Sequence, residues 1–213
     1  MYVTLYVTCM SHFFKFVVMI HISLSKSEHS ARKLTYPTED QYDLLVDEDT
    51  VIIDNETQKP VIVYLKSFNR IDLVKDLIFD EGVPPKNITI DQRASNEFQE
   101  IYDYVNQIRK ALFPEHQQLP VNDVYYMANV SKAYHHDSVP LPGSLSTTLS
   151  MRRGSSGGYL VIPEYRIAFA QSHGSLCMFN GRELLHGVTK IKHHGKDAYR
   201  AVLVFYRSKL TVT

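Results

Sequence analysis

Four residues in the second half of the chain have the types and spacing of a metal-dependent site. His135 and Asp137 lie two positions apart, and His186 and Arg200 follow them. Two imidazoles and one carboxylate form the facial triad that binds Fe(II) and leaves coordination positions open. An arginine can grip a carboxylate through a two-pronged hydrogen bond. The pattern therefore predicts an iron site with an anion-binding arginine close to it.

The pair His135-x-Asp137 carries little weight by itself. A chain with 10 His and 23 acidic residues is expected to contain such a pair by chance, and an ordinary surface or core histidine is the alternative. The context favours a site, because residues 123–130 have the β-branched and aromatic content of a strand. Side chains two apart in a strand share a face. We therefore expect His135 and Asp137 to converge on one metal and His136 to point away.

Length and charge fit one globular domain. The 213 residues can bury a sizeable core, and the formal net charge of zero gives no overall footprint for nucleic acid. The charge is uneven, however. Residues 39–56 carry eight acids and no Lys or Arg, whereas residues 190–209 carry six bases and one acid. This basic region could meet phosphates, and a solvated loop and strand end is the alternative.

The two cysteines, Cys9 and Cys177, lie far apart and lack the spacing of a metal site. The sequence therefore indicates no structural zinc and no disulfide framework. This usage favours a reducing compartment, and we expect an intracellular protein, in the cytoplasm or the nucleus.

Residues 1–24 are apolar but are interrupted by His12, Lys15 and His21. A signal peptide would place its positive charge before the apolar run, and a membrane span needs about 20 unbroken residues. We interpret the segment as one or two strands or as a leader, with a membrane anchor as the alternative. The expected division is a leader and linker over residues 1–34 and a single domain over residues 35–213.

Periodicity predicts a mainly β fold with helices in the first half. A hairpin is expected over residues 51–65, and helices over residues 71–79 and 96–112. Short, closely spaced strands then predict a sandwich or barrel. These strands are expected at 144–151, 159–162, 166–170, 176–179, 184–188 and 198–206.

Five motifs between residues 120 and 208 come in a fixed order. Asp137 and His186 are separated by 48 residues, and His186 and Arg200 by 13. In this order they resemble the 2-oxoglutarate/Fe(II) dioxygenase superfamily. The resemblance implies an α+β, mainly β fold class, with a double-stranded β-helix core of the jelly-roll or cupin type, supporting N-terminal helices and a small hairpin. The motifs are His135-x-Asp137, Gly157-Gly158-Tyr159-Leu160, residues 174–179, His186-Gly187-Val188 and Arg200.

The same resemblance implies the roles of the four residues. His135, Asp137 and His186 would be the metal ligands and the catalytic centre for Fe(II). Arg200 would bind the distal carboxylate of 2-oxoglutarate, the cosubstrate, which reacts together with O2. The expected activity is that of a 2-oxoglutarate-dependent dioxygenase, an oxidoreductase.

Within the superfamily the chain is most similar to the TET/JBP branch. The run Arg-Ala-Val-Leu-Val-Phe-Tyr at residues 200–206 is similar to the Arg-x-Ser-Leu-Val-Phe-Tyr ending of TET domains, and residues 161–165 look like small phage and fungal relatives. This resemblance implies oxidation of the methyl group of 5-methylcytosine or thymine in DNA or RNA, with nucleic acid as the partner and no protein partner indicated. Tyr206 and Arg152 are the candidate residues of the substrate pocket. A core aromatic and a solvated hairpin end are their alternatives.

The chain also departs from TET domains. Pro140, Val202 and Ser208 stand where those domains have Asn, Ser and a base-contacting His, and the Cys-rich zinc module is absent. Two other functions stay open. One is a 2-oxoglutarate oxygenase that hydroxylates a protein side chain or a small molecule. The other is a non-catalytic β-barrel binding module with a degenerate triad.

Overall fold

Strands dominate the computed structural model, which describes residues 2–8, 17–27, 34–67, 89–93, 99–114 and 120–209. One helix, α1 (Gln99–Leu112), interrupts them within these residues. The strands are β1 (Tyr2–Thr8), β2 (Val17–Leu24), β3 (Leu44–Val46), β4 (Thr50–Asp54), β5 (Pro60–Leu65), β6 (Thr89–Arg93), β7 (Asp123–Ala128), β8 (Lys132–His135), β9 (Ser146–Arg153), β10 (Ser155–Gly157), β11 (Leu160–Ile162), β12 (Ile167–Phe169), β13 (Leu176–Phe179), β14 (His186–Val188), β15 (Ile191–His193) and β16 (Tyr199–Tyr206).

A large sheet supplies one wall of the sandwich. Among the described residues its order is β1-β2-β4-β5-β13-β9-β16-β7-β6, and the pairs from β4 to β6 are antiparallel. Side chains alternate between its faces, as a pleated strand requires. On β16, Ala201, Leu203 and Phe205 belong to one core, whereas Arg200 and Val202 line a cavity on the opposite face.

Helix α1 covers the outer face of this sheet. Buried residues recur at steps of three and four (Ile101, Tyr102, Val105 and Ile108), which is the stripe of an amphipathic helix. The ring of Tyr102 meets that of Phe205 edge to face, with centroids 5.9 Å apart. Burial of one such aromatic ring contributes about 1.5–3 kcal/mol. The helix therefore fixes the face of β16 that points away from the cavity.

A smaller sheet forms the facing wall, in the order β3-β12-β11-β14-β8 among the described residues. The two sheets enclose a second apolar core, with Ile52 and Tyr64 from the large sheet and Ile162 and Phe169 from the small one. Tyr64 and Phe169 pack with ring centroids 5.7 Å apart. This core fills one part of the sandwich and leaves the part beside β8 and β14 for the cavity.

The mainly β prediction is confirmed, with differences at the ends of elements. The helix expected over 96–112 spans Gln99–Leu112 in the described residues, and the one expected over 71–79 lies outside them. The hairpin over 51–65 is β4 and β5, and β5 pairs with β13, so it extends the large sheet. Strand β2 joins that sheet beside β4. No helix in the described residues has the length and apolar character needed to cross a membrane.

Candidate metal centre

Two neighbouring strands of the small sheet bring the two histidines together. In the antiparallel pair β8–β14, His135 lies directly opposite His186. Side chains at such cross-strand positions are adjacent, and the imidazole centroids are 4.2 Å apart. Asp137 follows β8, and its Oδ1 lies 3.6 Å from the Nε2 atom of each histidine. The three ligand atoms all lie within 4.8 Å of one another.

Backbone carbonyls orient both imidazoles. Nδ1 of His135 donates to the carbonyl of Ala133, and Nδ1 of His186 to that of Leu184, each at 2.9 Å. A carbonyl only accepts, so Nδ1 carries a proton and, in the neutral ring, Nε2 presents a lone pair. With both rings neutral, two lone pairs face the carboxylate oxygen in a largely buried place. That arrangement repels unless a cation lies between them, and it fits a metal ion.

The carboxylate of Asp137 is held from its other side. Its backbone N–H donates to the carbonyl of Gly181 at 2.8 Å, and Ser146 donates to Oδ2 at 3.3 Å. A Cβ atom at Gly181 would collide with Oδ2. Burial raises the pKa of Asp137, but when the imidazoles of His135 and His186 are protonated, their hydrogen bonds and charges outweigh burial and hold that pKa well below its ordinary value. Asp137 is therefore an anionic carboxylate at this position.

Arg200 lies on β16 with its side chain 3% exposed. Asn129 brackets its backbone, since the Asn129 side chain accepts from the Arg200 N–H at 2.9 Å and the Asn129 N–H donates to the Arg200 carbonyl at 2.7 Å. Nε of the guanidinium has no hydrogen-bond partner in the described part of the chain. Burial and the charge of Arg152 lower its pKa. A buried cation in this state fits an anionic ligand.

One cavity of about 270 Å³ contains the triad and Arg200. This volume is near the lower end of small-molecule sites, roughly 300–1,000 Å³. Tyr206 lines the same cavity and is buried. His136 lies outside the ligand cluster but also lines the cavity instead of pointing away, because β8 ends at His135 and strict alternation ends with it.

Arg152, the other predicted pocket residue, is not among the residues that line the cavity in the described structure. Its guanidinium donates to the carbonyls of Ala170, Ser155 and Gly157 at 2.8–3.1 Å. Arg152 therefore holds residues 154–158, the glycine loop, close to the large sheet. Arg152 thus has a supporting position in the described structure, and its contact with a substrate stays a prediction.

The glycine loop that Arg152 holds covers Arg200. Gly158 has a φ of +67°, and a Cβ atom there would lie 2.6 Å from Cδ and 2.8 Å from Nε of Arg200. The loop therefore needs glycine at this position for both backbone conformation and space.

Several residues of the site carry no motif and were missed from the sequence. Ser146 and Gly181 support the carboxylate, Asn129 supports Arg200, and Gln171 lines the cavity. A single signal existed for Gly181, since Asn180-Gly181 is a typical tight turn. The other three reach the site only through strand pairing and loop conformation.

Comparison with known proteins supplies the fold. No family model and no curated protein matches the chain. Among solved structures, NgTET1 in complex with 5mC DNA is similar at 14% identity and a TM-score of 0.59, over 80% of this chain and 81% of that one. The fold is a double-stranded β-helix. An oxidoreductase of the 2OG-Fe(II) oxygenase family from Burkholderia pseudomallei matches at 15% identity, over 68% of this chain and 84% of that one, with a TM-score of 0.48. The 2OG complex of the viral collagen prolyl hydroxylase from Paramecium Bursaria Chlorella virus-1 matches at 12% identity, over 64% and 88% of the two chains, with a TM-score of 0.47.

Proposed function

We propose that this chain is an Fe(II)- and 2-oxoglutarate-dependent dioxygenase. The observation that carries the proposal is the convergence of three candidate ligand atoms, from His135, Asp137 and His186, in a cavity that also contains Arg200, whose Nε has no hydrogen-bond partner among the described residues. Two neutral imidazoles and one carboxylate suit Fe(II). A buried arginine that pairs with no carboxylate of the described residues suits the distal carboxylate of 2-oxoglutarate.

The residues of the chain would then have distinct tasks. Fe(II) and 2-oxoglutarate, when bound, supply the oxidising chemistry, in which O2 is consumed, 2-oxoglutarate gives succinate and CO2, and a C–H bond of the substrate is hydroxylated. His135, Asp137 and His186 hold the metal. Arg200 holds the cosubstrate, and the surrounding apolar walls, which include Phe179 and Leu160, exclude water.

For the substrate we propose the methyl group of a 5-methylpyrimidine in nucleic acid. Three observations support it: the fold is similar to that of a TET protein, Lys132 lines the cavity, and an exposed basic segment follows β14. This segment has Lys190, Lys192 and Lys196 at its surface. Lysines of this kind bind phosphates in a salt-dependent way. A base in a duplex would have to be extruded to reach a buried cavity.

A second substrate class has one observation in its favour. Ser208 stands where TET domains have a base-contacting His, and it is buried with its hydroxyl donated to Asp123. Pro140, at another of the three departing positions, lines the cavity and has no side-chain donor for a base. Val139 beside it is 55% exposed. An apolar rim of this kind also suits a protein side chain or a small molecule.

The first experiment is succinate formation by the Fe(II)-loaded protein with 2-oxoglutarate, with and without oligonucleotides that contain thymine or 5-methylcytosine. Mass spectrometry of the bases gives the second readout. Succinate together with a hydroxymethyl base is the expected result. Succinate without base oxidation would contradict the nucleic-acid substrate but not the dioxygenase activity. Failure to form succinate and to bind iron would contradict the dioxygenase and favour a binding module. His186→Ala is the matched inactive control, and His173→Ala, at an exposed turn outside the basic segment, is the active control.

A further inference from the structure

Gln171 is the most unusual residue of the cavity wall. It lies between β12 and β13, it is 1% exposed, and it has a φ of +51°. Its carboxamide Nε2 has no hydrogen-bond partner among the described residues. It lines the same cavity as Arg200. The left-handed conformation costs free energy that glycine would not cost. The buried unpartnered amide costs free energy that an apolar side chain would not cost.

The surrounding structure holds Gln171 in this conformation. Ser150 on β9 donates its hydroxyl to the carbonyl of Gln171 at 3.0 Å. The preceding residue, Ala170, donates its N–H to the carbonyl of Val46 at 2.9 Å and accepts from Arg152 at 3.1 Å. Hydrogen bonds from two different strands, β9 and β3, therefore fix the backbone on both sides of the side chain. The amide is preorganised on the cavity wall.

Two unsatisfied donors now share one cavity, the Nε of Arg200 and the Nε2 of Gln171. Both atoms are shielded from water, so their hydrogen-bonding capacity is available to a ligand with acceptor oxygens. No carboxylate of the described residues pairs with Arg200, and a second guanidinium, that of Arg152, adds positive charge nearby. The ligand that satisfies such a set is an anion with two acceptor oxygens.

We propose that Gln171 is a second anchor for the distal carboxylate of 2-oxoglutarate, donating its amide N–H to the carboxylate that Arg200 binds. This inference rests on the proposed use of 2-oxoglutarate. In this role Gln171 increases the affinity for 2-oxo acids that carry a distal carboxylate and not for those that lack one. Its contribution is a hydrogen bond that exists only with the ligand in place.

Calorimetric titration of the Mn(II)-loaded protein with 2-oxoglutarate and with 2-oxobutyrate, which lacks the distal carboxylate, tests the proposal without turnover. Gln171→Met keeps the volume and removes the amide. We expect it to weaken 2-oxoglutarate binding about tenfold, the scale of one hydrogen bond to a charged group, and to leave 2-oxobutyrate unchanged. Gln171→Glu should weaken 2-oxoglutarate binding further, because it places like charges together.

The matched control is Gln58→Met. Gln58 has a φ of +57° but is exposed in the turn between β4 and β5, so both titrations should be unchanged. Thermal unfolding without ligand separates binding from folding. Gln171→Met should unfold no earlier than the wild type, since it removes a buried unpartnered amide. Gln171→Asn, which tolerates left-handed φ and shortens the reach, replaces it if the methionine variant fails to fold.

Either of two results would overturn the inference: unchanged 2-oxoglutarate affinity in Gln171→Met, or an equal loss for both 2-oxo acids. The titration of Arg200→Met keeps the two proposals apart. If this variant loses 2-oxoglutarate while Gln171→Met retains it, the cosubstrate site stands and the second anchor is wrong. If the wild type binds neither 2-oxo acid, the use of 2-oxoglutarate is wrong as well.

Discussion

Ser146 donates its hydroxyl to Oδ2 of Asp137 at 3.3 Å, while Oδ1 of the same carboxylate faces both histidines. The two oxygens therefore have separate tasks. One is directed at the ion site, and the other is fixed by the first residue of β9 and by the close approach of Gly181. Ser146 brings the large sheet into contact with a ligand that follows a strand of the small sheet.

The Ser146 contact predicts that Ser146→Ala lowers metal affinity with little change in the fold. Partners that orient a metal ligand are typically worth about 10–100-fold in affinity. Mn(II) titration measures the effect. Ser144→Ala is the matched control, since its hydroxyl is also buried but donates to the carbonyl of Leu141. Equal affinities for the two variants would contradict a role for Ser146 in orienting Asp137.

The ligand cluster predicts that His186→Ala abolishes stoichiometric metal binding. The wild type should take up about one equivalent of Fe(II). The variant should not, because removal of one imidazole leaves too few donors for a stable site. Metal content after anaerobic dialysis gives the answer. His193→Ala, on an exposed strand, should retain its metal. A His186→Ala protein that still holds one equivalent would place the ion elsewhere.

Gly158→Ala should weaken 2-oxoglutarate binding and leave metal binding intact. The added methyl group would lie 2.6 Å from Cδ of Arg200, so the guanidinium must move. Gly154→Ala is the control, because its φ of +55° gives the same backbone strain while its methyl group would meet Ala198 at 3.3 Å. Comparison of the two variants by calorimetry isolates the contact with Arg200. Similar losses in both would assign the effect to backbone strain.

The hydrogen bonds that Asp54 accepts predict that the stability of the fold depends on pH. The carboxylate accepts hydrogen bonds from Thr57 at 2.8 Å and from the hydroxyl of Tyr165 at 2.8 Å, the latter from the turn after β11. Burial raises its pKa, but these hydrogen bonds and that from Glu56 outweigh burial and lower it. A lowered pKa stabilises the fold above the unfolded value, about 3.9, and the contribution is lost as the pH falls through the folded value.

Asp54→Asn, which cannot ionise, should therefore lower the free energy of unfolding at pH 7 by about 1–3 kcal/mol. Its difference from the wild type should shrink below about pH 4. Urea unfolding at pH 7 and at pH 3 measures both values. Asp197→Asn, at an exposed turn, should match the wild type at each pH. A difference for Asp54→Asn that is constant with pH would contradict the ionic origin of the effect.

The sequence predicted the long strands. Residues 198–206 are apolar at every position except Arg200, residues 144–151 place Ser or Thr at every second position, and the structure has β16 and β9 within two residues of those limits. The three-residue strands β3 and β10 were missed, although β11, β12 and β14 have the same length and were predicted. Strand β10 contains only Ser and Gly, and β3 is a short apolar run between Asp43 and Asp47. Strand β8 was also missed as a separate element, because Asn129 turns the chain with a φ of +56°.

The same distinction applies to the site. His135, Asp137, His186 and Arg200 were found because their side-chain types are rare in combination, and the structure brings all four to one cavity. Gln171 could not be found in this way. Its position depends on a left-handed backbone held by hydrogen bonds from distant strands, and local sequence does not encode it.

The position of β16 between β7 and β9 has a consequence for biosynthesis. Synthesis delivers residues 199–206 after every other strand of the large sheet, yet they fill its interior. A nascent chain released from the ribosome tunnel only as far as β15 would present two unpaired strand edges, which favour aggregation. The large sheet can therefore be completed only after the segment that carries Arg200 has left the ribosome. Arrest of translation before and after that segment, followed by limited proteolysis, should show protection only in the longer chain.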